Sequence, residues 1–313
     1  MERIILAGVA DDNSISDVVA TARRLGEMSG LPVRYLHVVA MAIPPEPTLR
    51  GYGGSVRVAM ARTAYQELRT DAIERGREFV AGLDLDPDET HVQAGDAGAA
   101  LLRRARRLHA AMIVVGTRGR GPVRAAVAGS VSRRLVRDAN RPVIVARPSA
   151  AVRRPAGPVV CGVEAADKAD GYTVRAAARL ARLLRRRLAV AHVPSAASVS
   201  LRSGVAYVAF ADVAAGHGQP PRLLVHYARE HARAGGIADD VDVRLTPPGR
   251  AAERLADLAD GLDAPVIAVG AKRFGLGLVA AGSVSSELCR SAMRPVAVVP
   301  PAARADEPPD ESD

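Results

Sequence analysis

Tryptophan is absent from this 313-residue chain, and three Phe and six Tyr bring the aromatic share to only 3%. Any core must therefore be built from Ala, Val, Leu and Ile, and a hydrophobic share of 48% is enough for one. Lysine is nearly absent too. Lys168 and Lys272 stand against 41 arginines, which points to GC-rich coding more than to a selected basic footprint. The net charge of +9 invites a nucleic-acid reading. The arginines mostly alternate with Asp, Glu and Ala along helices, apart from short clusters such as Arg103-Arg104 and Arg185-Arg186-Arg187. A solvated face is the reading adopted, with nucleic acid set low among partners.

Cysteine is scarce. Cys161 and Cys289 stand singly in apolar surroundings without CxxC or metal-ligand spacing, so buried, inert thiols in a reducing compartment are expected. No apolar run approaches the roughly 18 residues of a membrane span. The opening "MERIILAGVA" starts a strand without a basic leader. A cytoplasmic, membrane-free protein is expected.

Catalytic motifs are missing as well. No Gly-Lys-Ser/Thr of a P-loop occurs, no G-x-S-x-G elbow and no H-x-x-x-H pair. "GLGLVA" (275–280) fits a loose dinucleotide pattern but begins five residues past its strand. His37 and His192 close strands, where a structural role is expected. No nucleophile stands beside a base, and no carboxylate cluster suggests a metal held by protein alone.

What is present is repetition. "ILAGVADD" (5–12) returns as "VVCGVEAAD" (159–167), and "YLHVV" (35–39) as "VAHVP" (190–194). "IVVGTRG" (113–119) returns as "IAVGAKR" (267–273), and "AGSVSRRLVRDANRPVIVARP" (128–148) as "AGSVSSELCRSAMRPVAVVPP" (281–301). The offset stays between 153 and 155 residues, a whole-domain duplication and not a short solenoid repeat. The expected division is 1–148, a Pro/Ala-rich linker at 149–156, 157–301, and the tail 302–313.

Within the first copy, strands are expected at Arg3–Val9, Val33–Val39, Thr90–Gln93, Met112–Val115 and Val143–Ala146. Helices are expected at Ser14–Ser29, up to Gly82, at Ala97–His109 and at Ser130–Asp138. Apolar strands alternating with helices indicate an α/β fold, a doubly wound parallel sheet covered on both faces. Such sheets bind ligands beyond the carboxyl ends of strands, at the switch point. The glycine-rich stretch after strand four leads there. Ser130 stands at a helix N-cap, whose free N–H groups and dipole favour anions.

Gly116-x2-Gly119-x9-Gly129-Ser130 resembles the G-2x-G-9x-G-(S/T) signature of ATP-binding universal stress proteins. "GV" after strand one, "HV" after strand two and "RPV" before strand five extend the likeness over both halves. The resemblance implies two tandem Rossmann-like five-stranded domains that bind ATP, with or without Mg²⁺, as a regulatory ligand with at most weak turnover. It places adenine against Val38 and ribose near Gly8 and Asp11. It places phosphates on Gly116, Thr117, Arg118, Gly119, Arg120, Gly121, Pro122, Gly129, Ser130 and Val131. The corresponding second-half set is Gly162, Glu164, Val193, Gly270, Arg273, Gly282, Ser283 and Val284. There Arg273 replaces a glycine and the loop is one residue shorter, so a weaker or empty site is expected.

A nucleotide-dependent stress regulator, homodimeric or acting on protein partners, is the leading expectation. An adenylating or ATP-hydrolysing enzyme of the same fold group is the alternative; only Arg118, Arg120 and Arg124 stand near the phosphates, and permanent cations cannot shuttle protons. The halves are expected to pair about a pseudo-twofold through "RPVIVA" and "RPVAVV", apolar edges in need of partners. "DEPPDESD" (306–313) is expected to be disordered, so that its deletion leaves the melting temperature nearly unchanged.

Overall fold

The computed structural model describes residues 3–41, 54–116, 130–147, 155–164, 168–194, 219–238, 241–274, 278–280 and 283–301. The first half runs β1 (Ile5–Val9), α1 (Ile15–Ser29), β2 (Val33–Ala40), α2 (Gly54–Ala81), β3 (Thr90–Gly95), α3 (Ala97–Arg107), β4 (Met112–Val115), α4 (Ser130–Asp138) and β5 (Val143–Val145). The second runs β6 (Val159–Val163), α5 (Lys168–Leu183), β7 (Leu188–His192), α6 (Arg222–Ala234), β8 (Val241–Leu245), α7 (Ala251–Gly261), β9 (Ile267–Gly270), a hairpin of β10 (Lys272–Phe274) and β11 (Leu278–Ala280), α8 (Ser283–Ser291) and β12 (Val296–Val299). Strand boundaries shift by one or two residues from the sequence expectation. Tail residues 306–313 lie outside the described residues.

Ten strands form a single sheet in the order β3-β2-β1-β4-β5-β12-β9-β6-β7-β8. Within each half of this sheet every pairing is parallel, and central strands such as "MIVV" are apolar throughout because helices cover both faces. The halves meet as expected, through an antiparallel β5–β12 pair with Val143 opposite Val298 and Val145 opposite Val296. Each copy's edge thereby becomes the centre of the shared sheet.

Burial makes the two halves one body. On one face, Ile5 and Val9 of β1 share a cluster with Ile144 of β5, Cys161 of β6 and Val174 of α5. On the other, Val136 of α4 packs with Leu255 of α7 and Leu288 of α8. Helices α3, α4, α8 and α7 thus line one face; α1, α5 and α6 line the other.

The β10–β11 hairpin was not expected. Arg273 pairs with Val279 where an open loop was foreseen, and β11 lies beside α4 of the first half. The "GLGLVA" stretch therefore belongs partly to a hairpin and not to a strand-to-helix turn, as its distance past β9 indicated.

Candidate functional site

The chain leaves β1 toward β2 and β3, then crosses back to place β4 on the other side of β1. That reversal makes the carboxyl ends of β1 and β4 the switch point, where neighbouring loops splay apart. Two helices begin there. The β1–α1 turn carries Asp12, whose Oδ1 accepts from the Ser14 amide at 2.9 Å and the Ser14 hydroxyl at 2.5 Å. Across from it, β4 ends before Gly116 and α4 starts at Ser130. Thr117, Arg118, Gly119, Arg120, Gly121, Pro122 and Gly129 connect them and lie outside the described residues, as does Arg124.

Four of the glycines have a packing reason. A Cβ on Gly116 would stand 2.0 Å from Ser14 Oγ, so its absence lets α1 start against the end of β4. Gly8 lies under Leu101 of α3, and a Cβ there would stand 3.0 Å from Leu101 Cδ1. Gly162 repeats this beneath Leu255 of α7 at 2.6 Å. Gly270 faces Thr173 of α5, where a Cβ would stand 2.7 Å from the hydroxyl. Helix packing therefore demands the small residue at these positions before any ligand does.

Val9 is the last β1 residue paired with β2, opposite His37, so Val38 is the first beyond it. Val38 and Val131 both pack against the cluster of Leu36 and Leu101. The structure thus brings Gly8, Val38 and Val131 together on the α3–α4 face, with exposed Asp11 in the adjoining β1–α1 turn. His37 is buried, and its Nδ1 donates to the Val9 carbonyl at 3.1 Å while its ring lies 4.7 Å from Phe79. His192 donates likewise to Val163 at 3.2 Å. A carbonyl only accepts, so Nδ1 carries the proton. Both histidines tie the ends of adjacent strands, the structural role expected of them.

The second crevice differs. Glu164 is exposed, and its amide donates to the Asp170 carboxylate of α5 at 2.8 Å. Val193 and Val284 pack on the Leu255 cluster as Val38 and Val131 do on theirs. The segment holding Arg273 is folded into the hairpin. Gly282 lies outside the described residues; Ser283 opens α8 as Ser130 opens α4.

Sequence reasoning missed Asp12, which organises the turn, and Arg147. The Arg147 guanidinium donates from Nε to Ala292 O at 2.7 Å, from Nη1 to Cys289 O at 2.9 Å and from Nη2 to Arg290 O at 2.8 Å. It caps the carboxyl end of α8 from across the β5–β12 seam. The signal was visible: Arg147 follows β5 in a copy whose counterpart carries proline. Burial raises the Asp17 carboxyl above its ordinary value, with Arg147 opposing the rise. Cys161 and Cys289 are free and buried, and desolvation pushes the Cys289 thiol up to about 12 and Cys161 further. Among the described residues, no group of three or more His, Cys, Asp or Glu is placed to hold a metal, and no helix is long and apolar enough to cross a membrane.

Comparison with solved structures finds the same architecture. A universal stress protein from Archaeoglobus fulgidus DSM 4304 is 17% identical with a TM-score of 0.56, covering 95% of this chain and 98% of that one. A functionally unknown protein from Pseudomonas aeruginosa PAO1 is 16% identical with a TM-score of 0.51, covering 96% and 93%. Identities this low show the fold alone. No curated protein matches the chain. The sequence model of the universal stress protein family matches twice, at residues 1–147 and 156–300, in register with the two halves of the sheet. The chain belongs to the universal stress protein family, with two family domains in tandem.

Proposed function

We propose that the first half binds ATP, with or without Mg²⁺, as a regulatory ligand that biases conformation or partner choice. The observation carrying this reading is the β4–α4 junction. A glycine-rich segment joins Gly116 to Ser130 at the switch point, and the nine-residue helix α4 begins there, where the first amides of a helix have no partner within it. Oriented N–H groups at a helix start suit a phosphate, since their dipoles need no reorganisation. Val38, just past the end of β1, offers an apolar edge for a base, and exposed Asp11 in the next turn would be the acid for the ribose.

Binding without chemistry is the reading these side chains favour. Ser14 is buried against Gly116 with its hydroxyl committed to Asp12, so it is no nucleophile. His37 spends its proton on the Val9 carbonyl. In the second half the hairpin takes the place of an open cradle, which favours a weaker site there.

Nucleotide released by denaturing the purified protein, identified by mass, tests ligand identity. Calorimetry on the full chain tests location. One ATP should bind per chain, Gly119→Val should abolish it, and Ser130→Ala should weaken it less. Parent-like binding by Gly119→Val, or two equal sites, would sink the assignment. Hydrolysis at enzyme-like rates would favour the catalytic alternative.

A further inference from the structure

Duplication has left two helix pairs with opposite charge on one face of the sheet. Helix α3 ends "RRARR", and the equivalent part of α7 reads "DLADG". The exposed Arg103 and Arg106 thus correspond to Asp257 and Asp260 at an offset of 154. Even the bridge between paired helices is inverted. Arg134 of α4 donates to Asp96 at 3.0 Å, whereas in the second copy Arg250 donates to Glu287 of α8. Arg107, Arg133 and Arg137 are exposed beside Arg103 and Arg106; Asp138 pairs with Arg137, and both Asp96 and Asp138 pair with neighbouring Arg134. The cations act on a common region: Arg137, Arg134 and Arg106 together hold the Asp138 carboxyl below its ordinary value.

Connectivity brings one strongly acidic segment to this face. Helices α3 and α4 run against their strands, so Arg106 and Arg107 at the end of α3 and Arg137 at the end of α4 lie at the amino end of β5, with Arg103 and Arg133 one turn further back along their helices. Arg141, just before β5, fastens that corner by donating to the carbonyls of Ala105 and Ala110. Because β12 is antiparallel to β5, with Val298 opposite Val143, the chain leaves β12 at the same corner. Residues 302–313 follow, with five acids and no base among 306–313. Twelve residues extend at most about 40 Å, while neighbouring strands are only about 5 Å apart. The acids therefore reach the arginines without strain in the linker.

We propose that the acidic segment 306–313 docks on the arginine face formed by Arg103, Arg106 and Arg107 of α3 with Arg133 and Arg137 of α4. It shields that face from other polyanions. The contact is electrostatic and multivalent, and it needs no fixed backbone structure in the segment.

Both native thiols are buried, so Ser312→Cys offers the accessible site for a nitroxide label. In the isotope-labelled full chain, the label should broaden amide signals at 103–107 and 133–137. Broadening should vanish at about 1 M salt, where screening acts beyond roughly 3 Å. It should also vanish in Arg103→Asp/Arg106→Asp, which installs the second copy's own residues. Absence of broadening on this face overturns the proposal. So does broadening seen only when label and isotope sit on different molecules, which would assign the face to a second copy. A heparin column gives an independent reading. Neutralising the five acids to Asn and Gln should raise the eluting salt, and the Arg103→Asp/Arg106→Asp background should erase that rise. A rise that persists there reflects net charge and overturns the docking.

Discussion

At the scale of single residues, two kinds of position stand out: glycines that admit a neighbour and side chains that reach across the seam. Gly116→Ala would force Cβ to within 2.0 Å of Ser14 Oγ and displace the start of α1. Overpacking of this sort costs about 1–3 kcal/mol, to be read from urea denaturation. Gly8→Ala should cost less, because the Leu101 side chain can give way. Arg147→Ala removes three charge-assisted bonds to the end of α8 and should cost roughly 2 kcal/mol. The buried thiols make an alkaline prediction. Cys289 holds its proton up to about 12 in the folded chain, whereas an unfolded thiol releases it near 8.5. The folded state thus binds more protons between those values, and this stabilisation is full below the unfolded pKa and lost as pH rises toward 12. Urea midpoints should fall less steeply with alkaline pH in Cys289→Ala than in the parent. An unchanged slope would show the thiol to be accessible.

Among the elements, helix starts separate the copies. Asp96 caps α3 by accepting from the Ala99 amide at 2.6 Å and also pairs with Arg134. Arg250, its counterpart at α7, makes no side-chain cap, and its side chain stays exposed in its ion pairs with Glu253 and Glu287. Asp96→Ala should therefore destabilise by about 1 kcal/mol, and Arg250→Ala by under about 0.5 kcal/mol. Equal effects would mean the cap contributes nothing. Most elements were legible in the sequence because apolar strands such as "MIVV" and amphipathic helices carry their period locally. The β10–β11 hairpin was not. Its residues correspond to a stretch of the first copy read from the sequence as a loop, and neighbouring α4, which belongs to the other half, could not be foreseen from local pattern.

For the whole molecule, the decisive feature is the β5–β12 seam. A half expressed alone would expose β5 or β12 as an unpaired edge, together with the apolar cluster that both halves share. Light scattering should show an isolated first half as a dimer or larger assembly, while the two halves produced together assemble as a heterodimer. A stable, monomeric first half would contradict the shared core.

The sequence by itself determined the duplication, the parallel order within each copy, the glycine-rich stretch before Ser130 and the structural use of His37 and His192. Each of these rests on residue type and spacing, which the chain carries locally. Only the tertiary structure decided why Gly8 and Gly116 are glycine, since the side chains that would collide with a Cβ come from α3 and α1. It also decided that Asp12 organises the turn beside exposed Asp11, and that Arg147 serves a helix of the other copy. The charge reversal between α3 and α7 was written in the letters. Its placement on one face, at the corner where the acidic segment leaves the sheet, required the antiparallel seam that joins strands far apart in sequence.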